Sequence, residues 1–342
     1  MRALDFRSDT VTRPSPEMRK AMAEAEVGDD AYGDDPTVRR LEERCAELLG
    51  LPAGVFVTSG TQANQIAIGL YCRPGDEVLA EAGSHCIQSE GGGMSALWGA
   101  QPRPIASERG ILSPEAVLGA VRPRNEHYPK SVLLCLENTH NRGGGSVWPL
   151  QQFGQVVQVA REHRLFVHLD GARLFNAQAA SGTPVSAYAG LTDTTSICLS
   201  KGLGAPVGSV LCGSRERMRE ARRLRLRLGG GMRQAGILAA AGLYALEHNI
   251  ERLADDHALA RKLAEGLREI AGVEVDLSRV QTNIVFADFP LSGSEAVGRL
   301  RNAGILVNAE GPRANSLRWV CHLDLTEADV REALGRLPQA LR

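Results

Sequence analysis

Short apolar runs separated by longer amphipathic stretches set the pattern of this chain. Gly54-Val55-Phe56-Val57, Glu77-Val78-Leu79-Ala80-Glu81, Ser131 to Leu136, Leu165 to Leu169 and Ser196-Ile197-Cys198-Leu199 each have strand length, with helical stretches between them. That alternation predicts an α/β fold with a mostly parallel sheet. Helices are expected from Ser15-Pro16, over Pro36 to Leu49, after Thr58 through Leu70, and across a long region from Ala235 to about Ala271. From Val273 the spacing changes. Val273-Glu274-Val275, Asn283 to Phe286, a helix near Ser294 to Asn302, Ile305-Leu306-Val307, Leu317 to His322 and a final helix compose a smaller α+β unit with its own sheet. The expected organisation is an N-terminal arm over 1–30, a large domain over 31–248 and a small C-terminal domain over 249–342.

Two of the apolar runs end on residues that can do chemistry. Leu165 to Leu169 delivers Asp170-Gly171-Ala172-Arg173, and Ser196 to Leu199 delivers Ser200-Lys201-Gly202-Leu203-Gly204. If the two strands are neighbours, Asp170 and Lys201 share the carboxyl edge, where ligands of open α/β sheets bind. Most lysines are solvated surface charges, but Lys201 lies between an apolar strand and Leu203-Gly204-Ala205-Pro206-Val207-Gly208. An Asp-Gly pair alone is most often a turn. Taken together, the pair suits pyridoxal phosphate: a lysine holds the aldehyde as a Schiff base while an aspartate keeps the pyridine nitrogen protonated. Thr58-Ser59-Gly60-Thr61 opens a helix whose free N–H groups suit a phosphate, although Ser and Thr also favour plain N-caps. His85 follows the strand ending at Glu81, and its ring suits stacking on a pyridine. Arg318 alternates with apolar neighbours in Leu317-Arg318-Trp319-Val320 and so occupies the opposite strand face.

Composition narrows the alternatives. With 39 basic and 40 acidic residues the net charge is −1, which gives no global field for nucleic acid or acidic membranes. The basic run Arg215 to Arg227 carries no interleaved aromatics and is expected to be a partly exposed helix. Seven cysteines without a C-x-x-C spacing are expected to be reduced core residues of a cytoplasmic protein. No signal-peptide pattern opens the chain, and no window approaches the ~18 apolar residues of a membrane span. The four aspartates around Tyr32 lack the calcium-loop pattern and are expected to be caps and turns. Eight histidines form neither H-E-x-x-H nor a Cys/His ligand set, so no metal is expected. Gly202-x-Gly204-x-x-x-Gly208 has the wrong spacing for a dinucleotide site.

Seven segments carry a family resemblance. They are Arg7-Ser8-Asp9-Thr10-Val11-Thr12, Gly28 to Gly33, Ser59-Gly60-Thr61, Glu137-Asn138-Thr139-His140-Asn141, His168 to Arg173, Ser200 to Gly208 and Gly229-Gly230-Gly231-Met232-Arg233-Gln234. In this order the segments resemble the L-threonine aldolase family of fold-type I pyridoxal phosphate enzymes, from the first strand to His322. Leu317 to His322 also resembles the family, except that a threonine is usual at Cys321.

The resemblance implies a role for each matching residue. Lys201 would bind the cofactor covalently, Asp170 would pair with its ring nitrogen, and His85 would stack on the ring. Ser59, Gly60, Thr61 and Arg233 would hold the phosphate. Ser8, Arg173 and Arg318 would bind the substrate α-carboxylate, and Tyr32 would line a neighbouring chain's site. His127 stands where the family has a second histidine. The implied reaction is retro-aldol cleavage of L-threonine, L-allo-threonine and related β-hydroxy-α-amino acids to glycine and an aldehyde. His85, or a water it orients, is the implied base. The implied assembly is a homotetramer, a dimer of dimers with shared sites. The competing activities on the same two residues are β-elimination and transamination.

Overall fold

A computed structural model describes residues 2–341. Its strands are β1 (Leu4–Asp5), β2 (Ala53–Val57), β3 (Glu77–Glu81), β4 (Gln101–Ile105), β5 (Ser131–Glu137), β6 (Phe166–Gly171), β7 (Thr194–Cys198), β8 (Ser209–Gly213), β9 (Ile284–Asp288), β10 (Ile305–Leu306) and β11 (Ser316–Val320). Seven of them form one sheet in the order β2-β8-β7-β6-β5-β3-β4. Every pairing is parallel except the two made by β8.

Successive side chains along a strand face opposite sides, and here both sides are covered. Leu79, Leu134, Leu136, Val167, Leu169 and Ile197 enter one apolar cluster, with Phe153, Trp148 and Tyr188. Val78, Ala80, Leu133, Cys135 and Leu211 enter the other, with Ile66, Ala67 and Leu70 of helix Gly60–Tyr71. Burial on both faces explains why these strands are continuous apolar runs instead of alternating ones. The alternation of strands and helices around a mostly parallel sheet makes this an α/β architecture.

Helix ends follow local chemistry. Asp35 caps helix Pro36–Leu49 by accepting the Thr37 and Val38 N–H groups, each at 3.0 Å. The last helix, Glu327–Ala340, begins with a reciprocal Thr326/Asp329 capping box.

Three points differ from the sequence expectations. The long helical region is two helices, Gly236–His248 and Leu253–Arg268. Val273 to Val275 is no strand and makes only the isolated bridge from Glu274 to Asp288. β4 was not expected, because Pro102 and Pro104 argue against a strand interior; it lies at the sheet edge, where proline is tolerated. Gln101 N–H donates to Asp76 O (2.8 Å) and Ala82 N–H donates to Ile105 O (2.9 Å), so the residues between them that face β3 do the pairing and both prolines fall on the free side.

The N-terminal arm reaches both units. Leu4 pairs in parallel with Ile305, and Leu4 and Phe6 join the second core with Leu263, Val285, Trp319 and Leu337. Helix Pro16–Ala23 instead packs on helix Gly236–His248 of the large unit. The basic helix, Arg215–Arg227, is more deeply held than its composition predicts. Arg225 is buried, donates to Phe56 O at 2.7 Å and pairs with Asp30 at 2.7 Å. Among the described residues no helix is long and apolar enough to cross a membrane.

Candidate active site

The register sets Glu137 beside Asp170 and Asp170 beside Ser196, at the carboxyl ends of three adjacent parallel strands. Lys201 follows β7 by three residues, in a loop pinned at its neck. Leu199 N–H donates to Gly208 O (3.0 Å), Ala205 N–H to Leu199 O (3.0 Å) and Gly204 N–H to Lys201 O (2.8 Å). Thr12 Oγ1 adds a bond to the same Lys201 carbonyl at 3.1 Å, which ties the N-terminal segment to the loop. Asp170 is buried; its Oδ1 accepts Ala172 N–H at 3.0 Å and its Oδ2 accepts Asn64 Nδ2 at 2.7 Å. Burial alone would raise the Asp170 pKa. The Lys201 and His85 charges and the Asn64 bond outweigh it and hold the carboxyl below its ordinary range. The carboxyl thus stays ionised within reach of the Lys201 charge.

His85 opens the short helix His85–Gln88. Its backbone N–H donates to Glu137 Oε2 (2.7 Å), and its Nδ1 lies 2.8 Å from Glu90 Oε1. The Glu90 bond raises the imidazole pKa, against an opposing effect of burial. Glu137 Oε1 accepts Asn141 N–H at 2.7 Å, so this one carboxylate fixes the backbone on two sides of the site. Ligand atoms of His85, Glu90 and Asp170 lie within 4.8 Å of one another. Asn64 Nδ2 donates to both carboxylates, at 2.7 Å each, and so supplies the positive end that a cation would otherwise have to supply.

Helix Gly60–Tyr71 starts beside β7. Ser59 caps it, accepting Gln62 N–H at 3.1 Å. The Gly60 and Thr61 N–H groups precede the first intrahelical donor and have no acceptor within the helix. A Cβ on Gly60 would stand 2.7 Å from Cys198 Sγ, so only glycine lets this helix start approach the strand end that leads to Lys201. The loop Gly229 to Ala235 runs nearby, since a Cβ on Gly230 would meet the Gln62 side chain. Arg233 itself is exposed and pairs with Asp29 at 3.1 Å. Tyr32 is also exposed, at 80%, on the adjoining loop, where Asp30 N–H donates to Arg233 O at 3.0 Å.

A buried ion cluster forms the facing wall. Arg173 Nε and Nη2 each reach Asp9 at 2.7 Å, and Arg173 Nη1 donates to Asn141 Oδ1 at 3.3 Å. Burial would raise the Asp9 pKa; Arg173, then Lys201 and Arg318, hold it well below the carboxylate range. One edge of the Arg173 fork is therefore already filled by Asp9. Arg318, from β11, donates through Nη1 to Glu310 at 2.8 Å, while its Nε is buried without a partner. Its guanidinium pKa is lowered by burial and by Arg173, against the pull of Glu310 and Asp9. Ser8 stands next to Asp9 and caps the turn Asp9–Val11.

His127 is not brought to this site within the chain. It lies in the exposed segment that precedes β5, at the amino edge of the sheet, beside Glu126. Asp9, Asn64, Glu90, Glu137 and Asn141 were given no role by the sequence. Asp9, Glu137 and Asn141 do lie inside the resembling motifs, and that was the only signal available for them.

Residues 5–290 match the family described as beta-eliminating lyase. The low-specificity L-threonine aldolase 1 of Arabidopsis thaliana is 42% identical over 350 residues, covering 100% of this chain and 97% of that protein. The low specificity L-threonine aldolase of Escherichia coli (strain K12) is 44% identical over 331 residues, 96% of each chain. Among solved structures, a Leishmania major threonine aldolase superposes with a TM-score of 0.84 at 24% identity, covering 99% of each chain. A Sphingomonas wittichii serine palmitoyltransferase superposes at 0.75 and 20% identity, over 98% of this chain and 86% of that one, a likeness of fold alone. With relatives this similar spanning nearly its whole length, the chain belongs to the low-specificity L-threonine aldolases of the beta-eliminating lyase family.

Proposed function

We propose that this protein cleaves L-threonine, L-allo-threonine and related β-hydroxy-α-amino acids between Cα and Cβ, giving glycine and an aldehyde, with pyridoxal 5'-phosphate as cofactor. The observation that carries the reading is the ionised, buried Asp170 carboxylate beside Lys201 at the carboxyl edge. The residues present fit the cofactor. Lys201 would hold its aldehyde carbon, Asp170 its ring nitrogen, His85 its ring face, and Ser59, Gly60, Thr61 and Arg233 its phosphate. When bound, pyridoxal phosphate supplies the electron sink for the Cα–Cβ bond.

The chain's own residues do the rest. Arg318 has a buried Nε with no acceptor and an Nη1 on the half-exposed Glu310, so a substrate carboxylate has a donor waiting for it. Arg173, locked on one edge by Asp9, offers its remaining edge, and Ser8 adds a hydroxyl. His85, or a water it orients, takes the β-hydroxyl proton as the aldehyde leaves. Arg318→Lys keeps the charge and loses the planar fork. It is expected to raise the KM for threonine by roughly 10- to 150-fold, the equivalent of about 1.5 to 3 kcal/mol for a charge-assisted bond. Steady-state kinetics checks this, and an unchanged KM would place the carboxylate elsewhere.

The assembly we propose is a homotetramer, a dimer of dimers with sites shared between copies. Its support is the exposed apolar residues Val27, Tyr32, Leu226 and Ile237, on segments that meet where Asp30 N–H donates to Arg233 O and Gly236 N–H to Asp35 Oδ2. Tyr32 and Arg233 would then serve a neighbouring copy, and His127 would reach a site only on another copy. A cytoplasmic location is supported by seven free, buried cysteines.

Product analysis decides the reaction. The purified, cofactor-loaded protein is expected to yield glycine and acetaldehyde from threonine. Pyruvate and ammonia from serine, or amino transfer to a keto acid, with no aldehyde from threonine, would overturn it.

A further inference from the structure

Glu90 is a buried carboxylate with no part in the chemistry above. Its side chain is fully enclosed, in the segment Ser89-Glu90-Gly91-Gly92-Gly93. Oε1 accepts Asn64 Nδ2 (2.7 Å) and faces His85 Nδ1 (2.8 Å), and Oε2 accepts Gln65 Nε2 (2.7 Å). A carboxylate left in such a place is stable only when its oxygens are met by donors.

The hydrogens in this network can be assigned. Asn64 Nδ2 spends both hydrogens, one on Glu90 and one on Asp170, so Asn64 Oδ1 must accept. Its nearest partner is His168 Nε2 at 3.0 Å, and Ser196 Oγ donates to it at 3.4 Å. His168 therefore carries its proton on Nε2, while its Nδ1, at 3.0 Å, accepts from Thr194 Oγ1. Burial pushes the His168 pKa down to about 4, so this ring is neutral at neutral pH and the assignment holds. The amide of Asn64 cannot flip without turning an oxygen toward two carboxylates. Glu90 is thus an acceptor on every side, and the nitrogen of His85 that faces it carries a proton.

We propose that Glu90 is a positioning residue for His85: it keeps a proton on Nδ1 and orients the ring, leaving Nε2 as the only ring nitrogen able to exchange a proton with substrate. This rests on the role given to His85 above. A carboxylate that fixes the tautomer and orientation of a catalytic histidine is a general device. The charged groups that reach His85 are Glu90, Asp170 from β6 and Lys201 from the loop after β7; Glu137 from β5 holds its backbone.

The test uses the full chain, with and without added pyridoxal phosphate. The His85 ring is followed by NMR across pH, with His85→Asn identifying its signals. Glu90→Gln is expected to move the His85 midpoint to lower pH. It is also expected to lower kcat for threonine roughly tenfold or more, a part of the roughly 10²- to 10⁴-fold that acid–base catalysis contributes. The acid limb of the kcat profile should move the same way, with KM little changed. Gln65→Leu keeps the carboxylate and removes a competing donor, and is expected to move the midpoint to higher pH. A His85 midpoint and acid limb that stay in place in Glu90→Gln, even with kcat reduced, would reduce Glu90 to a packing group. If Glu90→Gln fails to fold, an unmoved midpoint in Gln65→Leu overturns the proposal by itself. The titration needs no substrate, so absence of aldol cleavage would sink the proposed function and leave the titration result standing.

Discussion

Lys201→Ala is expected to lose the visible absorption of the loaded protein together with turnover, which should fall by roughly 10⁴-fold or more, the scale seen when a covalent catalytic group is removed. The chain has four lysines, at positions 20, 130, 201 and 262, so a substitute amine is easy to assess. Lys20 is exposed near Glu24, and Lys262 is paired with Glu327 in the small unit. Lys130 precedes β5 at the amino edge, where its carbonyl accepts Glu77 N–H. None of the three reaches the carboxyl edge. Borohydride treatment followed by peptide mapping should label Lys201 in the parent protein and no lysine in the variant. A label on another lysine would refute the assignment.

Asp170→Asn is the second large effect. Oδ1 of Asp170 serves Ala172 N–H and Oδ2 serves Asn64 Nδ2, so both oxygens are needed as acceptors. An asparagine has one. Whichever way its amide turns, an NH₂ group meets a donor, at a cost of about 1 to 3 kcal/mol for a buried unsatisfied group. The negative charge opposite the cofactor ring nitrogen is lost as well. Turnover is expected to fall roughly 10²-fold or more, the usual loss when a preorganised electrostatic group is removed. Cofactor should remain bound through Lys201 and the helix start at Gly60. Turnover near that of the parent, in protein with full cofactor content, would show that some other group organises the electron sink.

The candidate pair, Asp170 and Lys201, was legible because each residue sits where a buried strand ends, and an apolar run followed by a polar residue and glycine marks that place on a sequence. The helix start at Ser59 was legible for a similar reason, since hydroxyls before an amphipathic stretch form a local signal. Asn64, Glu90 and Asp170 were not legible as a set. They come from a helix, a glycine-rich segment and a strand, and only the folded register brings one amide between two carboxylates. Asp9 was hidden differently. It belongs to a polar segment without an apolar pattern, and only the fold shows it buried beside Arg173. The gap between helices Gly236–His248 and Leu253–Arg268 contains neither glycine nor proline, so no local signal marks it. Arg173 shows the limit of a motif. Its presence was evident, but not that Asp9 already fills one edge of its guanidinium.

The two prolines of β4 bear on how copies of this protein can meet. The exposed edge of a sheet is a row of donors and acceptors that a strand from another molecule can extend, which is the route to fibres and other runaway assemblies. Pro102 and Pro104 face that edge and carry no N–H, so two of its donors are missing while the pairing with β3 is untouched. Strand addition at β4 is thereby closed off. Association between copies has to proceed through side-chain surfaces, such as the exposed apolar residues near Tyr32, which close into an oligomer when the same surface meets its copy about a two-fold axis.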